Sequence, residues 1–282
     1  MRRSELEKAV VWLVPLAALL LDLTLIGWVL PHTPVRDETT FYPAAQAFAK
    51  AGALPSLEFL RHYPAPQAPL SLYWAGRLLS LWPSLELLRV ANSCLMCGAL
   101  FVFARFAARQ RENTMLAPLL LALNPYFHLV ATHFYTDALY FACVVAIVTQ
   151  RAKQPRLALT LAPLARQFGV IFPLGEALFA LGQRRFRAAL GALASLLPLA
   201  LLCLLWHGLT PDTPRAEVMT DVHRAYGFFF PYVAAYHVAA LGFYLAPALA
   251  RVERSPWFWV SGAIAAFLEL VAPAHQNFSA RV

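Results

Sequence analysis

The feature that most constrains the fold is a series of long apolar runs. They fall at 9–30, 68–83, 88–107, 115–131, 135–149, 157–181, 188–207, 228–249 and 256–273. A helix crosses the roughly 30 Å hydrocarbon core of a bilayer with about 20 predominantly apolar residues, and several runs reach that length. The chain is 60% hydrophobic and only 13% charged, with a mean hydropathy of +0.57. We therefore predict an all-α, polytopic membrane protein with about nine transmembrane or half-membrane helices.

The pattern contains no internal repeat and no composition shift that would mark a second domain. The first run is too long for a signal peptide, and no small-residue cleavage pattern follows it. We expect a single transmembrane domain over residues 1–282, with outer loops at 31–87 and 208–227.

Basic residues give the orientation. The net charge is +8, but the arginines and lysines form short clusters between apolar runs rather than a stripe, so nucleic-acid binding is not expected. All clusters lie on the cytoplasmic side, with a cytoplasmic N-terminus, only if 68–83 lies at the interface and 157–181 turns back at Arg166-Gln167. In the rival topology 68–83 crosses, 157–181 spans once, and the clusters at 105–111 and 151–156 lie outside.

The usage of lysine and cysteine bears on the compartment. Only three lysines accompany many arginines, alanines and leucines, which indicates a GC-rich bacterial genome and hence a bacterial inner membrane. The four cysteines lie inside apolar segments, and Cys94-x-x-Cys97 has no second pair. We expect no metal site and no cofactor.

Acidic residues gather at the predicted outer face. Asp37 and Glu38 lie in the first outer loop, and Asp137 lies at an outer turn. Each has a structural interpretation, because Asp37 and Asp137 can cap helices and Glu38 can favour a helix dipole. The functional interpretation is a general base at the membrane boundary, where partial desolvation raises a carboxyl pKa. The sequence does not separate Asp37 from Glu38 as the base.

Arginines lie at the same face. Arg89 begins an apolar run at its outer end, and Arg166-Gln167 interrupts another. Arg89 can extend its charge to the interface, and Arg166 can pair with Asp137 or Glu176. Alternatively, their guanidinium groups bind the oxygens of a donor phosphate.

Several other polar side chains are candidate acceptor or sugar contacts, although anchoring at the membrane interface is the commoner role of tyrosine. They are His133, Tyr135, His223 and Tyr63.

Five segments together carry a resemblance. They are RDETTFYPAAQAF, YPAPQAPLSLYW, LELLRVANS, NPYFHLVATHFYTDALYF and LAPLARQFGVIFP, within roughly residues 10–180. In their order they resemble the integral-membrane GT-C glycosyltransferases, especially the dolichyl-phosphate-glucose α-1,2-glucosyltransferases. The bacterial aminoarabinose and protein-mannosyl transferases share the broader pattern.

The resemblance implies a hexosyl- or glycosyltransferase of the cell envelope. Its donor would be a sugar on a polyprenyl phosphate, and its acceptor an extracytoplasmic glycan, lipid or protein. Asp37, with Glu38 beside it, would be the catalytic acid of the first outer loop, and Asp137 matches a second acid of the family pattern. Arg166 with Gln167, or Arg89, would bind the lipid phosphate.

Two other classes stay open. In a lipid flippase or transporter the same charges would line a path through the membrane. In a non-catalytic partner of a glycan-assembly complex, replacing Asp37 would leave function intact.

Overall fold

The computed structural model describes residues 3–35, 37–109, 116–150 and 155–211, with the side chains of 3–8 and 116 left aside. The chain separates into two units, Met1–Thr213 and Pro214–Val282, and the description concerns the first. The predicted runs at 228–249 and 256–273, His223, and loop 208–227 beyond Pro211 lie outside the described residues. The prediction of a single domain therefore stays a prediction.

The described part of the chain is helical throughout, with 78% of residues in helices and no strand. The all-α prediction is confirmed. The α-helices are α1 (Arg3–Trp28), α2 (Glu38–Ala51), α3 (Leu57–His62), α4 (Pro69–Leu81), α5 (Leu85–Ala107), α6 (Leu116–Ala122), α7 (Pro125–Thr132), α8 (Asp137–Gln150), α9 (Arg156–Ala165), α10 (Ile171–Gly182), α11 (Phe186–Ala194) and α12 (Leu197–Trp206).

Within the described ranges, three helical stretches are long and apolar enough to cross a membrane: Ala9–Trp28, Leu85–Ala107 and Phe186–Trp206. Large apolar side chains are exposed along the first and third of these, as expected of surfaces that face lipid rather than water. These helices indicate a membrane protein. The predicted number of about nine is not confirmed, because other apolar helices of the described part have only 10–17 residues.

The segment 68–83 forms α4, which has 13 residues and packs against α2. Gly76 lies at the closest approach, since a Cβ there would be 2.6 Å from Phe48 Cβ and 2.9 Å from Ala45 O. A helix of this length rises about 20 Å, less than the hydrocarbon thickness. Its length fits the predicted interfacial segment better than a crossing.

The segment 157–181 is broken where the sequence predicts it. Helix α9 ends at Ala165, Arg166 is extended at φ −148° and ψ 130°, and a 3-10 turn over Gln167–Val170 leads into α10. A Cβ on Gly169 would lie 2.4 Å from the carbonyl carbon of Ala162. The chain therefore returns onto the backbone of α9 directly after Arg166.

Replacing Gly169 with alanine should destabilise the protein by about 1–3 kcal/mol, because the obstructing atoms are backbone and the turn must open to admit a methyl group. Thermal unfolding in detergent measures the loss. Gly175→Ala is the matched control, since Gly175 lies inside α10 with nothing within 4 Å of its added Cβ. We expect that control to be neutral or stabilising by up to about 1 kcal/mol. Equal melting temperatures for the two variants would contradict the close approach.

Candidate functional site

A buried ion pair joins α2 to α5. Glu38 Oε1 accepts hydrogen bonds from Arg89 Nε at 2.9 Å and from Phe134 N at 2.7 Å, and its Oε2 accepts from Arg89 Nη2 at 2.6 Å and from Val35 N at 3.1 Å. Both side chains are fully buried. Burial alone raises the pKa of the Glu38 carboxyl, but the bonds from Arg89, Phe134 and Val35 outweigh it and lower that pKa.

The guanidinium of Arg89 is also bound to the loop before α2. Its Nη1 donates to Pro31 O at 2.6 Å, and its Nη2 donates to Thr33 O at 3.3 Å. A buried ion pair with its remaining donors and acceptors bonded in this way holds backbone segments together. The predicted roles of Glu38 as a base and of Arg89 as a phosphate ligand would require this pair to open.

The turn between α7 and α8 is held from three helices. Besides the bond from Phe134 N to Glu38, Asn92 Nδ2 in α5 donates to His133 O at 2.9 Å and to Tyr135 O at 3.0 Å. Ser71 Oγ in α4 donates to Thr136 O at 3.0 Å. Because buried backbone groups need such partners, these bonds fix the turn that leads directly into Asp137.

Asp137 and Arg166 form a partly exposed ion pair. Asp137 Oδ1 lies 3.0 Å from Arg166 Nε and 2.7 Å from Arg166 Nη2, and each side chain is 22% exposed. The pair thus links the start of α8 to the break after α9. Gln167 Nε2 donates to Pro66 O at 2.8 Å, which ties the same break to the loop before α4. Of the two structural partners predicted for Arg166, Asp137 is the observed one.

Asp37 is exposed at the entry to α2. Its backbone oxygen accepts from Thr40 N and Phe41 N at 3.0 Å, whereas its side chain makes no capping hydrogen bond to the helix. The prediction that the Asp37 side chain caps α2 is therefore wrong. The side chain stays on the surface beside the buried Glu38.

Tyr126 lies near these charged groups. The residue is 50% exposed, and the pKa of its phenol is raised to about 12, first by burial and then by the nearby charge of Asp137. Asn124 Oδ1 accepts from Tyr126 N at 2.8 Å and caps α7, which fixes the backbone of the tyrosine. Sequence reasoning missed Tyr126, and the signal that could have found it is the Asn-Pro-Tyr start of a helix on the same face.

The other predicted contacts are buried. His133 and Tyr135 stack on each other with ring centroids 5.7 Å apart, and Tyr63 donates its hydroxyl hydrogen to Gln67 O. Their interior positions contribute to packing, and a sugar contact by any of them would require local movement. His223 lies outside the described residues.

An apolar cavity of about 690 Å³ opens beside the break after α9. Its walls come from α2, α3, α4, α9 and α12 and from the loop before α3, and they include Leu70, Leu164 and Leu202. Leu164 precedes Arg166 by two residues, and Leu70 precedes Ser71, whose Oγ also lies 3.4 Å from Ala165 O. The apolar cavity and the partly exposed Asp137–Arg166 ion pair therefore both lie at the C-terminal end of α9.

A separate polar contact lies between α1 and α7. His128 Nδ1 lies 2.6 Å from Asp22 Oδ1, His128 Nε2 lies 2.7 Å from Ala122 O, and Cys97 Sγ lies 3.7 Å from Asp22 Oδ2. The intramembrane Asp22 is thus paired with His128 and also accepts a hydrogen bond from Cys97. Over the ranges that the structure describes, no group of three or more histidine, cysteine, aspartate or glutamate side chains could hold a metal ion.

No family model, curated protein or solved structure matches this chain. The features of the described residues that bear on function are the exposed Asp37, the partly exposed Asp137–Arg166 pair and the apolar cavity that borders the same end of α9.

Proposed function

We propose that the protein is a GT-C-type membrane glycosyltransferase that transfers a sugar from a polyprenyl-phosphate donor to an extracytoplasmic glycan, lipid or protein acceptor. The observation that carries the proposal is the position of Arg166. Its guanidinium is partly exposed, and it lies at the end of α9 that also borders the apolar cavity. A cation beside an apolar compartment suits a ligand made of a phosphate and a hydrocarbon chain.

The apolar cavity would hold part of the isoprenoid chain. Its volume of about 690 Å³ accommodates several isoprene units, and its walls are leucine, proline, phenylalanine and tyrosine. Burying hydrocarbon there contributes roughly 25 cal/mol per Å² of apolar surface. Binding of the chain in the cavity would position the donor phosphate near Arg166.

Arg166 would exchange partners when the donor binds. In the structure its Nε and Nη2 both contact the same carboxylate oxygen of Asp137, and a phosphate offers more oxygens to the same planar fork. Asp137 would then hold Arg166 in position before the donor arrives. The partial exposure of both groups makes such an exchange less costly than in a fully buried pair.

In the proposed chemical step the acid, the sugar and the phosphate ligand have separate roles. Asp37 would accept the proton of the acceptor hydroxyl while that oxygen attacks the anomeric carbon of the sugar. The bond between the anomeric carbon and the phosphate oxygen breaks, and its electron pair leaves with the lipid phosphate, whose charge Arg166 stabilises. Because phosphate is already a good leaving group, catalysis would consist mainly of positioning and charge stabilisation.

Glu38 and Arg89 would act as positioning residues in this scheme. Their ion pair joins the loop before α2 to α5 and bonds the turn that precedes Asp137. It therefore links the segments that carry Asp37 and Asp137. The base role falls to Asp37, whose side chain is exposed.

The proposal is tested by transfer of radiolabelled sugar from a panel of polyprenyl-phosphate donors, with wild-type protein and Arg166→Gln compared at equal amounts in membranes. We expect kcat/KM for the donor to fall about 10–100-fold in the variant, with KM raised by the lost contact to the bound phosphate and kcat lowered by the lost stabilisation of the leaving phosphate. Arg77→Gln, which removes an equal charge from α4, should transfer normally.

Two outcomes would contradict the scheme. Equal transfer by wild type and Arg166→Gln would remove Arg166 from donor binding. No wild-type transfer from any donor would favour a transporter or a non-catalytic partner of a glycan-assembly complex.

A further inference from the structure

Four arginines line a concave pocket of about 550 Å³ at the connection between α10 and α11. Arg156 comes from the start of α9, and the other three come from the connection and the first turn of α11. These three are Arg184, Arg185 and Arg187. The cluster is unrelated to the site proposed above, which uses the opposite end of α9.

The packing brings Arg156 onto α11. A Cβ on Gly191 would lie 3.4 Å from Arg156 Nη2, so this guanidinium rests against the glycine. Gly191 follows Arg187 by four residues, which places both on one face of the helix. Guanidinium groups from two separate helices therefore face the same concavity.

The positive charge of the cluster is not neutralised by the protein part that the structure describes. No carboxylate within those ranges forms an ion pair with any of the four arginines. Arg185 Nη1 makes a weak side-chain hydrogen bond to Gln183 Oε1 at 3.4 Å. Like charges this close repel one another unless an anion or water lies between them. The planar guanidinium fork is suited to phosphate oxygens in particular.

The backbone at Arg184 carries an additional cost. Helix α10 ends with Arg184 N bonded to Leu181 O and Arg185 N bonded to Ala180 O, both at 2.8 Å, and Arg184 has φ +58°. Glycine is the usual residue at this left-handed position, because other side chains are strained there. Arg184 thus places a long cationic side chain at a position where glycine would be more stable.

The surroundings of the cluster indicate which class of anionic ligand it would bind. Phe186, beside the cluster, is 63% exposed and begins the candidate membrane span Phe186–Trp206, along which Leu190, Leu197 and Leu204 are also exposed. An exposed apolar helix that ends in arginines places those arginines at the level of the lipid head groups.

We propose that Arg156, Arg184, Arg185 and Arg187 form a binding site for the phosphate-bearing head group of an anionic phospholipid. Phe186 would insert among the first methylene groups of the same lipid. The ligand differs in class and place from the sugar donor, so the inference does not depend on the proposed glycosyltransferase activity.

Native mass spectrometry of the full chain in neutral detergent tests the proposal by titration with phosphatidylglycerol and with phosphatidylcholine of the same acyl chains. We expect wild type to retain phosphatidylglycerol selectively. Arg156→Gln/Arg187→Gln should weaken that binding about 30-fold, taking the usual attraction per arginine at a membrane surface. The matched control is Arg105→Gln/Arg109→Gln, which removes two exposed arginines at the end of α5 and should bind nearly as wild type does.

Arg184→Gly separates binding from folding. This variant relieves the positive φ and should melt at or above the wild-type temperature, yet bind phosphatidylglycerol about five-fold more weakly. Equal weakening by the Arg105/Arg109 control would show a general effect of surface charge and overturn the site. Displacement of the lipid by millimolar inorganic phosphate would show a free-anion site and overturn the lipid assignment, as would equal retention of both lipids.

Discussion

Asp37→Asn should lower kcat for sugar transfer about 100-fold or more, because the amide cannot accept the proton of the attacking hydroxyl. KM for the donor should change little, since the donor phosphate is bound elsewhere. The substitution preserves side-chain volume, and Asp37 makes no capping bond to α2, so folding should be retained. Initial rates at saturating donor, with equal amounts of folded protein, measure the effect.

Glu58→Gln is the matched control for Asp37→Asn. Glu58 is a carboxylate of the same predicted outer loop, 79% exposed and 3.3 Å from His62 Nε2. Its neutralisation removes one negative charge without touching the proposed base, and transfer should stay within about two-fold of wild type by the small value of exposed ion pairs. If both variants transfer sugar as wild type does, Asp37 is not the base.

Arg89→Met should reduce the free energy of unfolding by about 3–5 kcal/mol, because it leaves the Glu38 carboxylate buried without its cation. Pro31 O and Thr33 O lose donors in the same substitution. Every hydrogen bond that the guanidinium donates, to Glu38 and to the loop before α2, is therefore lost at once. The expected result is a large fall in melting temperature in detergent and loss of the ordered entry to α2.

A double variant identifies the cause of that loss. Glu38→Gln/Arg89→Met removes both charges and should be markedly more stable than Arg89→Met alone, because no unpaired buried charge remains. If Arg89→Met destabilises no more than Arg77→Gln, the ion pair is not a structural element.

The same pair gives a pH dependence with a defined sign. The pKa of Glu38 in the folded protein lies below its ordinary value of 4.5, so the unfolded state binds its proton first as the pH falls. The stabilisation is complete above that ordinary value and is lost as the pH falls through the lowered pKa. The stability difference between wild type and Glu38→Gln should therefore shrink in acid.

Several structural elements could be predicted from the sequence because they depend on local patterns. The apolar runs predicted helices, and the polar Arg166-Gln167 inside one of them predicted the break that separates α9 from α10. A guanidinium among apolar residues costs several kcal/mol unless it is paired or solvated, and in the structure Arg166 is paired with Asp137 and 22% exposed. Asp137, the partner of Arg166, was also among the candidates.

The different roles of the adjacent acids Asp37 and Glu38 could not be predicted from local patterns. Asp37 and Glu38 are neighbours with the same chemistry, and only the tertiary fold, which brings Arg89 of α5 to Glu38, leaves one carboxylate at the surface and buries the other. The bonds of Glu38 cross 51 residues to Arg89 and 96 residues to Phe134. No local pattern specifies contacts at that range.

The sequence by itself determined the class of the protein, since its apolar runs and scarce charges favour helices in a membrane over any soluble fold. It also determined which residues were candidates for chemistry, because charges are costly there and few are present. The tertiary structure alone decided how those residues divide into a buried Glu38–Arg89 pair, an accessible Asp137–Arg166 pair and a cluster of four arginines. The physical reason is that ion pairing and burial depend on distances between helices, which are set by side-chain packing over the whole fold.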